Sequence, residues 1–74
     1  MIQELDSVVL TIDLPEKKLI QGDIGTVVLV HQGGVGSEVE FVTLTGKTLA
    51  IFSLFSSQVP LIGDREIAHA RMLA

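Results

Sequence analysis

Glu38-Val39-Glu40-Phe41-Val42-Thr43, a Thr45-Gly46 step, and then Thr48-Leu49-Ala50-Ile51-Phe52-Ser53-Leu54-Phe55 read together as two strands joined by a short hairpin turn. In the first, Val39 and Phe41 alternate with Glu38 and Glu40. A period of two sends the apolar pair to a core and both carboxylates to the other face. The second strand has one face of Leu49, Ile51, Ser53 and Phe55 and another of Ala50, Phe52 and Leu54. Neither face is polar enough to meet water comfortably. With Leu49 and Ile51 assigned to the core, Ala50, Phe52 and Leu54 are expected to face outward.

The same punctuation continues upstream. Residues 26–31 form a strand whose centre, Val27-Val28-Leu29-Val30, is apolar on both faces, so it needs burial on both sides or an interface on one. Gly33-Gly34-Val35-Gly36-Ser37 is a flexible connection. Gly22-Asp23 marks a turn, and Gly25 marks a bulge or a close backbone approach. Leu19 and Ile20 are expected to tuck back under the sheet. Over residues 7–14, Val8, Leu10, Ile12 and Leu14 fall at period two, and Pro15 closes the run. Downstream, Ser56-Ser57-Gln58 breaks the chain, and residues 59–62 form a short fifth strand that Pro60 confines to an edge. Asp64 is a good helix N-cap, so residues 63–74 are expected as a short C-terminal helix, or else an extra strand.

The chain of 74 residues is one domain. The fold class expected from this spacing is mainly all-β: an SH3-like five-stranded barrel over about residues 5–62, followed by the tail. A domain of this size buries only about 60% of the surface its unfolded chain exposes. Yet 47% of the residues are hydrophobic and the mean hydropathy is +0.55. The surplus needs a home, and a subunit interface is the expected one. The candidate interface residues are Val28, Val30, Ala50, Phe52 and Leu54, with Ile67 and Met72 of the tail. Tail cover of the strand residues is the competing expectation.

Composition also excludes. Without cysteine there is neither a disulfide nor a thiolate metal site. No apolar run approaches the ~20 residues of a membrane-spanning helix, and the acidic start Met1-Ile2-Gln3-Glu4-Leu5-Asp6 is unlike a signal peptide. A cytoplasmic protein without membrane attachment is expected. Net charge is −4, and only Lys17-Lys18 among the basic residues are adjacent, which opposes nucleic-acid binding. Phe41, Phe52 and Phe55 are the sole aromatics, too few for a proline-peptide groove or a base-stacking platform.

No constellation carries chemistry. Glu38 and Glu40 share a face and could hold a cation, but nothing supplies a third ligand, and a solvated strand face accounts for them. His31 reads as a surface cap and His69 as a partner for Glu66. Ser53, Ser56 and Ser57 lack a nucleophile elbow, and Gly33-Gly34-Val35-Gly36 leads to a strand without the lysine of a phosphate loop. An enzyme is not expected, and no metal or cofactor is.

Leu5-Asp6-Ser7-Val8-Val9-Leu10, Gly22-Asp23-Ile24-Gly25-Thr26-Val27-Val28, Glu38-Val39-Glu40-Phe41, Gly46-Lys47-Thr48 and the closing Arg65-Glu66-Ile67-Ala68-His69-Ala70-Arg71 resemble a family of small uncharacterised bacterial SH3-like domains. The resemblance implies stand-alone proteins found among mobile gene cassettes and beside toxin-like genes. The Gly-Asp-x-Gly-x-Val stretch is also shared with SH3-like and KOW-type domains. The function expected is a non-catalytic, self-associating protein-interaction module, a homo-oligomer of two or more copies. An antitoxin- or immunity-like partner of a toxic protein is the alternative the resemblance implies, and a KOW-like ribosome or nucleic-acid module is opposed by the charge.

Overall fold

The computed structural model describes residues 2–73. Among them, four strands form a single antiparallel sheet in chain order: β1 (Ser7–Val9), β2 (Ile24–Val30), β3 (Gly36–Val42) and β4 (Thr48–Phe55). Single 3₁₀ turns at Pro15–Lys17, Gln32–Gly34 and Ser56–Gln58 punctuate the connections. The mainly β class follows from the alternation, because each strand offers one apolar row to a common interior.

That interior is Val8, Leu10, Leu19, Val27, Val39, Phe41, Leu54 and Val59, all buried. Leu19 reaches it because the loop after β1 closes on itself. Leu14 and Leu19 exchange backbone hydrogen bonds of 2.8 and 3.1 Å, and Lys18 takes a left-handed φ of 59° to make the turn. Ile20, the other residue expected to tuck in, is 45% exposed.

The hairpin of β3 and β4 sets the inner face. Phe41 stands opposite Ala50, Val39 opposite Phe52 and Ser37 opposite Leu54. Directly opposed residues share a face, so the even-numbered row of β4 points inward with Val39 and Phe41. This reverses the expected assignment. Leu54 is buried, and Phe52 is half-buried with its ring centroid 5.7 Å from that of Phe41. Leu49, Ile51, Ser53 and Phe55 are the outward row. A bulge between Val27 and Leu29 resolves the two-faced second strand: Val27 faces in opposite Val39, while Leu29 faces out opposite Glu38.

Two further expectations are corrected. The fifth strand is reduced to a single bridge, Val8 to Leu61. The N–H of Val9 donates to the Pro60 carbonyl (3.0 Å) and that of Ile62 to the Ser7 carbonyl (3.3 Å), but Pro60 has no N–H to return and the ladder stops. The tail over residues 63–73 is neither helix nor strand. A turn at Asp64-Arg65 is closed by the Glu66 carboxylate, which accepts from the Gly63 N–H at 2.6 Å. Ile67 and Met72 are 94% and 91% exposed. A helix this short is marginal without an apolar face to dock against, and these side chains find none.

Close approach fixes one glycine and leaves one hydroxyl stranded. A Cβ on Gly25 would stand 2.5 Å from Val39 Cγ1 and 2.9 Å from Phe41 Cε1. Gly25→Ala should therefore destabilise the fold by about 1–3 kcal/mol, the usual cost of overpacking. The Ser37 hydroxyl is buried with no hydrogen-bond partner. Ser37→Ala removes that desolvated oxygen and should be neutral or stabilising by up to about 1 kcal/mol. Urea unfolding followed by far-UV circular dichroism checks both. A neutral Gly25→Ala or a clearly destabilised Ser37→Ala would contradict this packing.

Candidate functional site: the free edge of β4 and the outer sheet face

β4 hydrogen-bonds to β3 on one side and, among the described residues, to no strand on the other. Half of its backbone groups therefore point away from the sheet. The strand carries no charge and no proline over eight residues, although sheets ordinarily guard an edge with one or the other. A groove of about 500 Å³ lies at the C-terminal end of β4 and reaches the β2–β3 connection, lined in part by Leu14, His31, Val35, Phe52, Phe55 and Gln58. The Gln58 side chain accepts from the Phe55 N–H at 2.8 Å and closes that end.

The outer face beside the edge is mixed. Glu38 lies between Leu29 of β2 and Ser53 of β4, and Glu40 between Thr26 and Ile51. Ile51 and Phe55 are 54% and 63% exposed. The carboxylates are tied down locally. Thr48 donates its hydroxyl to Glu40 at 2.6 Å. Glu38 accepts from the Ser53 hydroxyl and lies 2.8 Å from His31 Nε2. His31 thus belongs to the acidic row, not merely to the end of a strand.

Of the expected interface residues, the structure brings few together on one surface. Val28 is exposed at the bulge; Val30, Ala50 and Phe52 are half-buried, with Val30 and Phe52 against the core; Leu54 is core. Ile67 and Met72 are exposed on the tail. The tail makes its contact elsewhere, at the turn before β2. There Arg71 donates Nε and Nη2 to the two oxygens of Asp23 at 2.8 and 2.6 Å, and Nη2 also to the Lys18 carbonyl at 2.9 Å. Nothing in the sequence pairs residues 48 positions apart, so this clamp had no readable signal beyond the Gly22-Asp23 turn itself.

The described residues hold no group of three His, Asp or Glu side chains arranged for a metal ion. None of their helices is long and apolar enough to cross a membrane. The Ser53 hydroxyl does most to hold the Glu38 carboxyl below its usual 4.5; partial desolvation opposes it, and His31 adds to it. A carboxyl depressed in the folded state stabilises the fold above its unfolded value, and the contribution is lost as pH falls through the folded midpoint. The Glu38 midpoint, followed by carboxyl ¹³C NMR, is thus expected below 4.5, and Ser53→Ala should raise it. An unmoved midpoint in Ser53→Ala would remove the hydroxyl from this account.

Comparison with curated proteins and comparison with solved structures each return no match. A family model does match, and its span takes in all four strands and ends at Pro60, before the tail. The chain belongs to the family described as Domain of unknown function (DUF4926), matched over residues 4–60.

Proposed function

We propose that this domain is a non-catalytic protein-interaction module that self-associates by pairing the free edges of two β4 strands. The observation that carries the reading is an eight-residue edge with no charge and no proline, with an apolar groove at its C-terminal end. Edge strands add a further strand through main-chain hydrogen bonds, while side chains on alternate faces select the partner. An antiparallel edge is self-complementary about a two-fold axis. Because β4 is uncharged, two copies can meet there despite a net charge of −4 each. Ile51 and Phe55, outward on that strand, would continue the contact across the sheet face.

The same reading treats the architecture as SH3-like. The β1–β4 meander, the 3₁₀ turn at Ser56–Gln58 and the return of residues 59–62 to β1 follow that order of elements, with the last strand kept as one bridge. The working surface is then the β4 edge, since fold does not carry function with it. An antitoxin-like role is a second reading, favoured by Glu38 and Glu40 on the outer face beside that edge, which would suit a basic partner.

Light scattering coupled to gel filtration tests the proposal. The wild type should run at twice the 7.9 kDa chain mass, and Ile51→Lys or Phe55→Lys should reduce it to one chain. Ile67→Lys, on the exposed tail, should leave the mass unchanged. A wild type that stays monomeric at high concentration would rule out self-association.

A further inference from the structure

We propose that Asp23 and the Lys18 carbonyl form an arginine-recognition site, occupied in cis by Arg71 and open in trans to an extended, arginine-bearing peptide segment. The site lies at the β1–β2 end of the sheet and is independent of the β4 edge.

The contact has the form of a built receptor. A guanidinium offers Nε and Nη2 in a rigid fork, and a carboxylate accepts both, which is the strongest common pairing for this group. Asp23 presents its carboxylate to that fork from a fixed position. Oδ2 also accepts from the Ile20 N–H at 2.9 Å, and the Asp23 carbonyl accepts from Leu10 at 2.8 Å. The Asp23 side chain is only 16% exposed, and a third acceptor, the Lys18 carbonyl, completes the cradle. Burial pushes the Asp23 carboxyl up, but hydrogen bonds from Arg71 and Ile20, with the Arg71 charge, bring it below its usual value. With Arg71 in place it is therefore anionic at neutral pH.

The resident ligand is held through a single residue. Among the described residues, the hydrogen bonds from the tail to the body are those of Arg71 alone. Residues 64–70 are exposed. Between them and the sheet runs a groove of about 500 Å³, walled by Val9, Ile24 and Ile62. Ile67 borders this groove yet stays 94% exposed, so the tail satisfies the charge and leaves the apolar wall unfilled. Lys18 and Asp23 lie inside the family-matched residues, and Arg71 lies beyond them. The cradle is thus built from the sheet end of the fold, and the tail supplies the ligand seated in it. A better one would place an apolar side chain in the groove, a few residues before an arginine, in an extended strand.

The cis tail holds its own arginine near the cradle at an effective concentration on the order of millimolar, and a trans peptide must compete with it. The test uses the full chain with Arg71→Ala, which vacates the cradle without touching the core. The probe is a synthetic peptide of the sequence of residues 64–74, titrated into ¹⁵N-labelled protein. Amide shifts at Ile20, Asp23 and Ile24 are expected, with affinity at least tenfold higher for R71A than for the wild type. Adding Asp23→Asn keeps an oxygen for the Ile20 N–H but removes the charge, and should weaken binding at least tenfold. A peptide with lysine in place of the arginine that corresponds to Arg71, the Arg65 equivalent being kept, should also bind several-fold less well. The proposal is overturned if R71A binds the peptide no better than the wild type, or if the R71A/D23N protein binds it equally.

Discussion

The ring of Phe41 is the constraint around which the sheet is arranged. One ring edge occupies the space beside Gly25, where any side chain would collide, and its face lies against Phe52. The residue directly opposite, Ala50, is small enough to leave room for both. With Phe41 inward, Val39 and Ser37 are inward too, and the ladder then turns Phe52 and Leu54 to the core. Everything left on the far side of β3 and β4 is fixed by subtraction: Glu38, Glu40, Leu49, Ile51, Ser53 and Phe55. The candidate surface is therefore a consequence of where one aromatic ring goes, since a strand has only two faces and a one-residue change of register exchanges them.

That logic also marks how far the sequence could be read. The alternation at Glu38-Val39-Glu40-Phe41 was legible because charge and apolarity coincide with the two faces. The strand after it has no such contrast, and counting apolar bulk pointed to Leu49 and Ile51 as core. The hairpin held the missing information. The connection is a three-residue loop, Leu44–Gly46, closed by the Thr43 N–H on the Lys47 carbonyl, and with the bulge between Phe41 and Val42 it sets Phe41 opposite Ala50; opposed residues share a face. In β2 the bulge at Val28 interrupts the period, so four consecutive apolar residues gave no face at all. Pro60 announced an edge, and its missing donor is also why that segment stops at one bridge. The tail misled for a different reason: good helix formers around an N-cap establish propensity, and propensity without a docking face does not hold a helix of this length. The Arg71–Asp23 clamp depends on distant chain geometry and has no local signature.

The two edges of the sheet are unlike, and the difference bears on what kind of assembly an open β4 permits. β1 is covered on its outer side by residues 58–62, which accept from Val9 and Thr11 and donate from Ile62. The covering segment contains Pro60, which lacks a donor to pass on to a further strand. An exposed edge pairing with the opposite edge of the next copy would repeat without closing and build a filament. Here that heterologous route is blocked at the β1 side. The proposed pairing of β4 with β4 would consume the unguarded edge that the described residues leave on each copy, with nothing left to propagate. On the proposed pairing, a strand free of charge and proline, ordinarily an aggregation hazard, would be tolerable, because its partner would be another copy of itself and the assembly would close at two.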